Sequence, residues 1–215
     1  MIKIKNFTFN LFAENTLVIW DDNSLESAIV DPGSSNSAEE KILEEFISSQ
    51  KLKVKYLINT HCHIDHILGC RFVKEKYNPL YLVSELDLPL LKNAQKQADA
   101  FDIKMNEPPL PDQFINEETI IKLGESVGKF IFTPGHSPGE FCIYFKEEKL
   151  CITGDVLFNE GIGRTDLWGG DYKTLIDSIE SKLFKLPDDV KIYPGHGETS
   201  TIGHEKFNNP FLNNS

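Results

Sequence analysis

Apolar and polar residues alternate with period two through Ile2–Phe9, and 15–20 and 27–31 carry short apolar runs, so the chain opens on three β segments. Asp31-Pro32-Gly33 closes them with a turn. The period then lengthens. Ile42, Leu43, Phe46 and Ile47 recur at helical spacing within Ser37–Ser49, with Ser37 as the expected N-cap. A strand is expected at 54–59, where charge alternates with bulk. After a polar stretch come a helix from about 65 to 77, a strand at 79–83, and a second helix at 87–100 with Leu91, Ala94 and Ala98 on its inner face.

From 101 to 118 the pattern breaks, and Pro108-Pro109-Leu110-Pro111 reads as a surface loop. Such a loop is either functional or a bare connector. Four short strands follow over 119–155, including the hairpin Phe141–Phe145 with 150–153. Residues 171–183 form an amphipathic helix carrying Leu175, Ile176, Ile179 and Leu183, with Asp171 as N-cap. The last strand is expected at 190–193, and a short helix after Thr201. A strand-rich then helical order thus occurs twice. The expectation is an α/β chain forming one domain, 1–215, of two similar halves, about 1–115 and 116–215, with no repeat at the level of residue identity.

The polar stretch after the 54–59 strand is Thr60-His61-Cys62-His63-Ile64-Asp65-His66, and four of its seven residues are metal ligands by type. It sits after a strand and before a helix, where open α/β sheets place their chemistry. The same strand-then-turn arrangement recurs at Thr133-Pro134-Gly135-His136, at Thr153-Gly154-Asp155 and at Tyr193-Pro194-Gly195-His196. Of the six histidines only His204 stands apart. His61, His63, Asp65, His66, His136, Asp155 and His196 are too many ligands for one tetrahedral zinc. They suit two metals about 3.5–4 Å apart. Mixed imidazole and carboxylate donors fit zinc first, with iron and manganese as alternatives.

Composition narrows the partners. A net charge of −11 argues against nucleic acid and against anionic membranes. It leaves room for an anionic small substrate, because metal ions invert the local field. No run of about eighteen apolar residues is present for a membrane span. The opening Met1-Ile2-Lys3-Ile4-Lys5 lacks the pattern of a signal peptide, so the expected location is cytoplasmic. The four cysteines, at 62, 70, 142 and 151, show no short paired spacing and are expected to be reduced. Cys62, between two ligands, is expected to be a spacer whose side chain points away from the metals. No P-loop occurs, which sets aside one other hydrolase class.

The run HxHxDH, a lone His, an Asp after Thr-Gly and a final Pro-Gly-His-Gly resemble the metallo-β-lactamase superfamily. Gly161-Ile162-Gly163-Arg164-Thr165-Asp166 and the ending Ser200-Thr201…Asn209-Pro210-Phe211 resemble its short glyoxalase II-like hydrolases. The resemblance implies a four-layer αβ/βα sandwich, with two mixed sheets flanked by helices. It also implies the partition of ligands: His61, His63 and His136 at one metal, Asp65, His66 and His196 at the other, and Asp155 bridging. A hydroxide between the metals would attack a carbonyl, with Asp65 holding it oriented as the catalytic carboxylate. A thiol leaves largely as thiolate, which favours a small-molecule thioester of the hydroxyacyl-glutathione kind over an amide. Arg164, nine positions after Asp155, is either an anchor for a substrate carboxylate or a structural pair of Asp166 or Asp171.

The resemblance departs from the longer glyoxalase II enzymes. Their glutathione-contacting helical domain is not expected here, and an acid, Asp166, follows Arg164-Thr165 where they have an aromatic. Two alternatives stay open. The related persulfide dioxygenases use a single iron, for which the ligands here would be His61, His136 and Asp155. A lactonase or β-lactamase-like hydrolase is the other. A second copy of the chain, as a homodimer, is the one macromolecular partner considered.

Overall fold

The computed structural model describes residues 1–212. The chain divides into two compact units: one of Met1–Ile115 with Lys122–Ser126, the other of Asn116–Ile121 with the chain from Val127 onward.

The first unit is built on β1 (Ile2–Phe9), β2 (Glu14–Asp21), β3 (Glu26–Val30), α1 (Ser37–Ser49), β4 (Lys53–Ile58), α2 (Ile64–Ile67), α3 (Cys70–Tyr77), β5 (Leu80–Ser84), α4 (Leu88–Lys92), α5 (Ala94–Asp99) and β6 (Gln113–Ile115). Its six strands form one mixed sheet in sequence order. β1, β2 and β3 pair antiparallel, while β3 to β6 pair parallel. The parallel strands therefore end at one edge, and that edge receives Asp31 after β3 and the His61 loop after β4. Leu43 and Ile47 of α1 and Val73 of α3 are buried with Val18, Ile29, Leu57 and Tyr81 in a single core. Each fully buried aliphatic side chain there contributes about 1.5–3 kcal/mol.

Two expectations change in this unit. The helix expected over 65–77 is broken into α2 and α3. Continuing it would pair the Gly69 amide with the Asp65 carbonyl four residues back. Instead Gly69 N donates to Pro32 O at 2.7 Å, and the Asp65 carbonyl accepts from Asn10 Nδ2 at 3.0 Å. The next carbonyl, that of His66, accepts from Asn59 Nδ2 at 2.7 Å. Tertiary partners thus take up the groups that would have continued the helix. Gly69 is required at the break, because a Cβ there would stand 2.3 Å from Ser34 Oγ and 2.9 Å from Pro32 O. The helix expected over 87–100 is likewise divided at Asn93, whose side-chain amide donates to Pro89 O at 2.8 Å in competition with the backbone. The 101–118 stretch also carries the edge strand β6.

The second sheet has the order β14-β13-β10-β9-β8-β7. Its strands are β7 (Ile120–Leu123), β8 (Ser126–Phe132), β9 (Phe141–Phe145), β10 (Leu150–Gly154), β13 (Lys191–Pro194) and β14 (Ser200–Thr201). A two-stranded ribbon, β11 (Leu157–Phe158) with β12 (Gly161–Ile162), precedes α6 (Tyr172–Ser181), and α7 (Ile202–Asn208) follows β14. β9 is antiparallel to both β8 and β10, and β10 is parallel to β13. So β8, β10 and β13 all run the same way and deliver His136, Asp155 and His196 at one edge. Asp171 caps α6 as expected, accepting from Thr174 N at 2.7 Å. β14 and the ribbon leave no mark in the sequence pattern, because two-residue strands carry no period.

The cap of α1 is also one residue from its expected place. Asn36, not Ser37, accepts from the amides of Ala38 and Glu39, at 3.0 and 3.1 Å. Asn36→Ala should therefore lower stability by about 1 kcal/mol, and Ser37→Ala by a few tenths at most. Urea denaturation of the two variants checks this, and equal losses would contradict the assignment.

Candidate metal centre

In the first unit the ligand loop is held by buried backbone contacts. Asp87, itself fully buried, accepts from Cys62 N at 2.9 Å. Gln97 Nε2 donates to Cys62 O at 3.2 Å. The Cys62 side chain packs in the core with Ile64 and Ile67. Burial, reinforced by the nearby Asp87 charge, pushes its thiol well above the ordinary range. It is a spacer, as expected, and not a thiolate donor. At the preceding turn, Gly33 lets β2 pass closely beneath: a Cβ there would stand 2.0 Å from Glu14 Oε2 and 2.6 Å from Asp65 O.

The three imidazoles of the loop crowd together. The His61 ring centroid lies 4.8 Å from that of His63 and 4.1 Å from that of His66, and all three residues are buried. Asp31 supports two of them, His61 through Thr60 and His66 directly. Its Oδ1 accepts from Thr60 N at 2.7 Å, and its Oδ2 from Thr60 Oγ1 at 2.6 Å. With its proton given to Asp31, the Thr60 hydroxyl can only accept from His61 Nδ1, 3.2 Å away. That fixes the tautomer of His61 with its lone pair on Nε2. Asp31 Oδ2 also lies 3.3 Å from His66 Nδ1, while His66 Nε2 lies 3.5 Å from Asp65 Oδ2. The candidate donor atoms of Asp31, His61 and His66 all fall within 4.8 Å of one another.

The second unit repeats the device. His136 Nδ1 donates to Arg164 O at 2.7 Å, again leaving Nε2 as the lone-pair atom. Asp155 Oδ2 stands 3.5 Å from His136 Nε2 and 3.6 Å from His196 Nε2. These separations are long for hydrogen bonds. They match two donors sharing one metal: at bond lengths of about 2.0–2.2 Å and tetrahedral angles, donors stand about 3.3–3.6 Å apart. One carboxylate oxygen placed thus toward two imidazoles fits a bridging role, so the residues present suit divalent metals. Asp155 is itself held by the buried Glu140, whose Oε1 accepts from Asp155 N at 2.7 Å. The Phe158 ring stands edge-on to His196, with centroids 6.2 Å apart.

Each expected ligand is thus placed at a strand end. His61, His63, Asp65 and His66 gather in the first unit, and His136, Asp155 and His196 in the second. Arg164 forms a bidentate pair with Asp166, at 2.7 and 2.8 Å, and this pairing holds the exposed Asp166 carboxyl down at about 2. Asp171 is instead occupied in capping α6. Three supporting carboxylates were not singled out from the sequence. Asp31 carried a signal, an acid at the end of the third β segment. Asp87 and Glu140 carried none, because they act on residues 25 and 15 positions away.

Each of the two units thus carries imidazoles and carboxylates at the strand ends of a mixed sheet, the donor types of a metal-dependent enzyme. A family model described as the Metallo-beta-lactamase superfamily matches residues 10–196, and the chain belongs to that family. It is a metallo-hydrolase of the superfamily, with His and Asp groups suited to divalent metals. The chain is similar to hydroxyacylglutathione hydrolase GloC of Haemophilus influenzae, 41% identical over 94% of each chain. It is also similar to the probable metallo-hydrolase YqgX of Bacillus subtilis, 37% identical over 91% of this chain and 90% of that one. Among solved structures it resembles the BLEG-1 B3 metallo-beta-lactamase, with TM-score 0.90 and 29% identity over 98% of this chain and all of that one. It likewise resembles TTHA1623 in a di-iron-bound form, with TM-score 0.86 and 31% identity over 97% and 100%. Among the described residues no helix is long and apolar enough to cross a membrane.

Gly163 makes the strongest single demand on the sequence here. A Cβ at this position would stand 1.8 Å from the Asp155 carbonyl oxygen and 3.0 Å from His136 Nδ1. Neither neighbour is a flexible side-chain end. Gly163→Ala should therefore displace two candidate ligands together and cut metal content per chain at least in half, as elemental analysis of the purified variant would read. A variant that keeps its metal would mean that the loop gives way without moving the ligands.

Proposed function

We propose that the chain hydrolyses thioesters, of the 2-hydroxyacyl kind joined to glutathione or a similar thiol, at a pair of divalent metals. The observation that carries the two-metal reading is the placement of Asp155 Oδ2 at 3.5 and 3.6 Å from two imidazole Nε2 atoms. In the family pattern His61, His63 and His136 would hold one metal, Asp65, His66 and His196 the other, and Asp155 would serve both. The likeness to a hydroxyacylglutathione hydrolase across nearly the whole chain supports the substrate class. Zinc is the first choice of metal, and the di-iron form of a similar structure supports iron as the alternative.

When bound, the two cations supply a hydroxide nucleophile near neutral pH and polarise the scissile carbonyl. The remaining work belongs to the chain. Asp65, at the first turn of α2, accepts a hydrogen bond from the nucleophile and keeps its lone pair on the carbonyl carbon. The carbon–sulfur bond breaks with its electron pair on sulfur, and the thiol needs little protonation to leave. Arg164 stands on the loop whose own carbonyl orients His136. Its guanidinium exchanges Asp166 for a carboxylate of the substrate, a trade between two charge-assisted pairs at the surface.

S-lactoylglutathione should be cleaved without oxygen, with thiol and acid released one for one. Asp65→Asn should lower kcat by about 10²-fold or more. Oxygen uptake with glutathione persulfide, and no thioester cleavage under nitrogen, would instead favour a mononuclear iron site of His61, His136 and Asp155. Turnover of a β-lactam in place of the thioester would favour the lactamase alternative.

Arg164→Ala should raise KM for acidic thioesters by up to about tenfold and leave neutral ones nearly unchanged, because the lost pair already forms in the ground state. Steady-state kinetics on a matched acidic and neutral pair checks this, and equal shifts would return Arg164 to a structural role with Asp166.

A further inference from the structure

Asn59 follows β4 directly and is fully buried. Its backbone amide extends the β4–β5 ladder by donating to Leu82 O at 3.1 Å. Its side chain uses all four of its hydrogen-bonding positions. Nδ2 donates to His66 O at 2.7 Å and faces Asp31 Oδ1 at 3.4 Å. Oδ1 accepts from Tyr81 Oη at 2.7 Å and from Cys70 Sγ at 3.2 Å. The amide has one workable orientation, since turning it over would set its oxygen against a carbonyl and a carboxylate, which are both acceptors. Tyr81 lies on β5 and Cys70 opens α3, so the far side of the amide is anchored in rigid core elements.

We propose that Asn59 is a positioning residue for the metal bound by His66. It holds the His66 backbone directly, at 2.7 Å, and it holds the carboxylate of Asp31 that faces the His66 ring. The buried relay from Tyr81 and Cys70 through Asn59 to Asp31 and His66 is what keeps that donor set in place before any metal arrives. A ligand set with such support loses about 10–100-fold in metal affinity when the supporting partner is removed. The proposal rests on the two-metal reading given above.

The test titrates the full-length apo-protein with cobalt(II) against a competing chelator and follows the visible absorption. His66→Ala marks which of the two binding constants belongs to the His66 metal, by abolishing it. In Asn59→Leu that same constant should weaken by 10–100-fold while the other changes less than threefold. Tyr81→Phe, which removes only the distal hydroxyl and keeps the ring packed, should weaken it severalfold in the same sense. It keeps the test sharp if Asn59→Leu fails to fold. Ile47→Val, in the same core but away from the relay, should lower the melting temperature of the apo-protein and leave both constants alone. If Asn59→Leu and Tyr81→Phe bind both cobalt ions as the unaltered protein does, or lose both constants together, Asn59 is only a packing residue and the proposal is wrong. If the unaltered protein binds one cobalt, the two-metal reading fails by itself. Asn59 is then judged on that single constant: a tenfold loss in the variants upholds its role, and no change overturns it.

Discussion

An imidazole can bind a divalent cation only through a lone pair, so each ligand ring must be held in one tautomer and one orientation. Part of the buried polar architecture of this chain suits that constraint. His136 has its Nδ1 proton committed to the Arg164 carbonyl. His61 has its own committed to Thr60, because the Thr60 proton is already spent on Asp31. Burial strengthens each of these contacts by removing competing water, and it raises the cost of a misplaced partner by the same means. A surface loop with the same histidines would bind metal only after ordering itself, at an entropic cost that the core has already met here.

The first unit places Asp31, Asn59, Thr60 and His66, among other polar residues, almost out of reach of solvent. Such a group is tolerable only when fully paired. Asp31 manages it with backbone strain as well, since it sits at φ 49°, in the left-handed region that few residues other than Gly, Asn and Asp adopt readily. Its own amide is fixed on the Ile58 carbonyl at 2.9 Å. The break between α2 and α3 belongs to the same economy of groups. The amides and carbonyls withheld from a continuous helix are the ones that tie the ligand loop to Asn10, Pro32 and Asn59. A straight helix would have satisfied the backbone equally well and left the loop without its anchors.

The strands were legible because an alternating run such as β1, or a short apolar run bounded by turn residues such as β9 and β10, has few other readings. β1 forms over the whole expected range, and the β9–β10 hairpin lies within a residue of its expected bounds. Helix ends were less legible. At α1 both Asn36 and Ser37 are good caps by type, and only backbone geometry chose Asn36, at φ −154° and ψ 165°. The Arg164 alternatives show the same limit. Its spacing from Asp155 suggested either a ligand anchor or a salt-bridge partner, and the fold gives it a bidentate grip on Asp166 without touching the question of substrate.

The sequence by itself determined the two runs of strands, the residue types at their ends, and hence the family, because imidazoles and carboxylates at fixed spacing after strands are rare by chance and chemically purposeful. It did not determine which carboxylate supports which ring. Asp31 reaches Thr60 across 29 positions and Asp87 reaches Cys62 across 25. Tautomers, the commitment of the Asn59 amide and the need for glycine at 163 are decided by groups brought together only when the sheets form. Local sequence fixes dihedral preference and polarity, whereas the pairing of buried polar atoms is settled by which distant residues the parallel strands carry to the same edge.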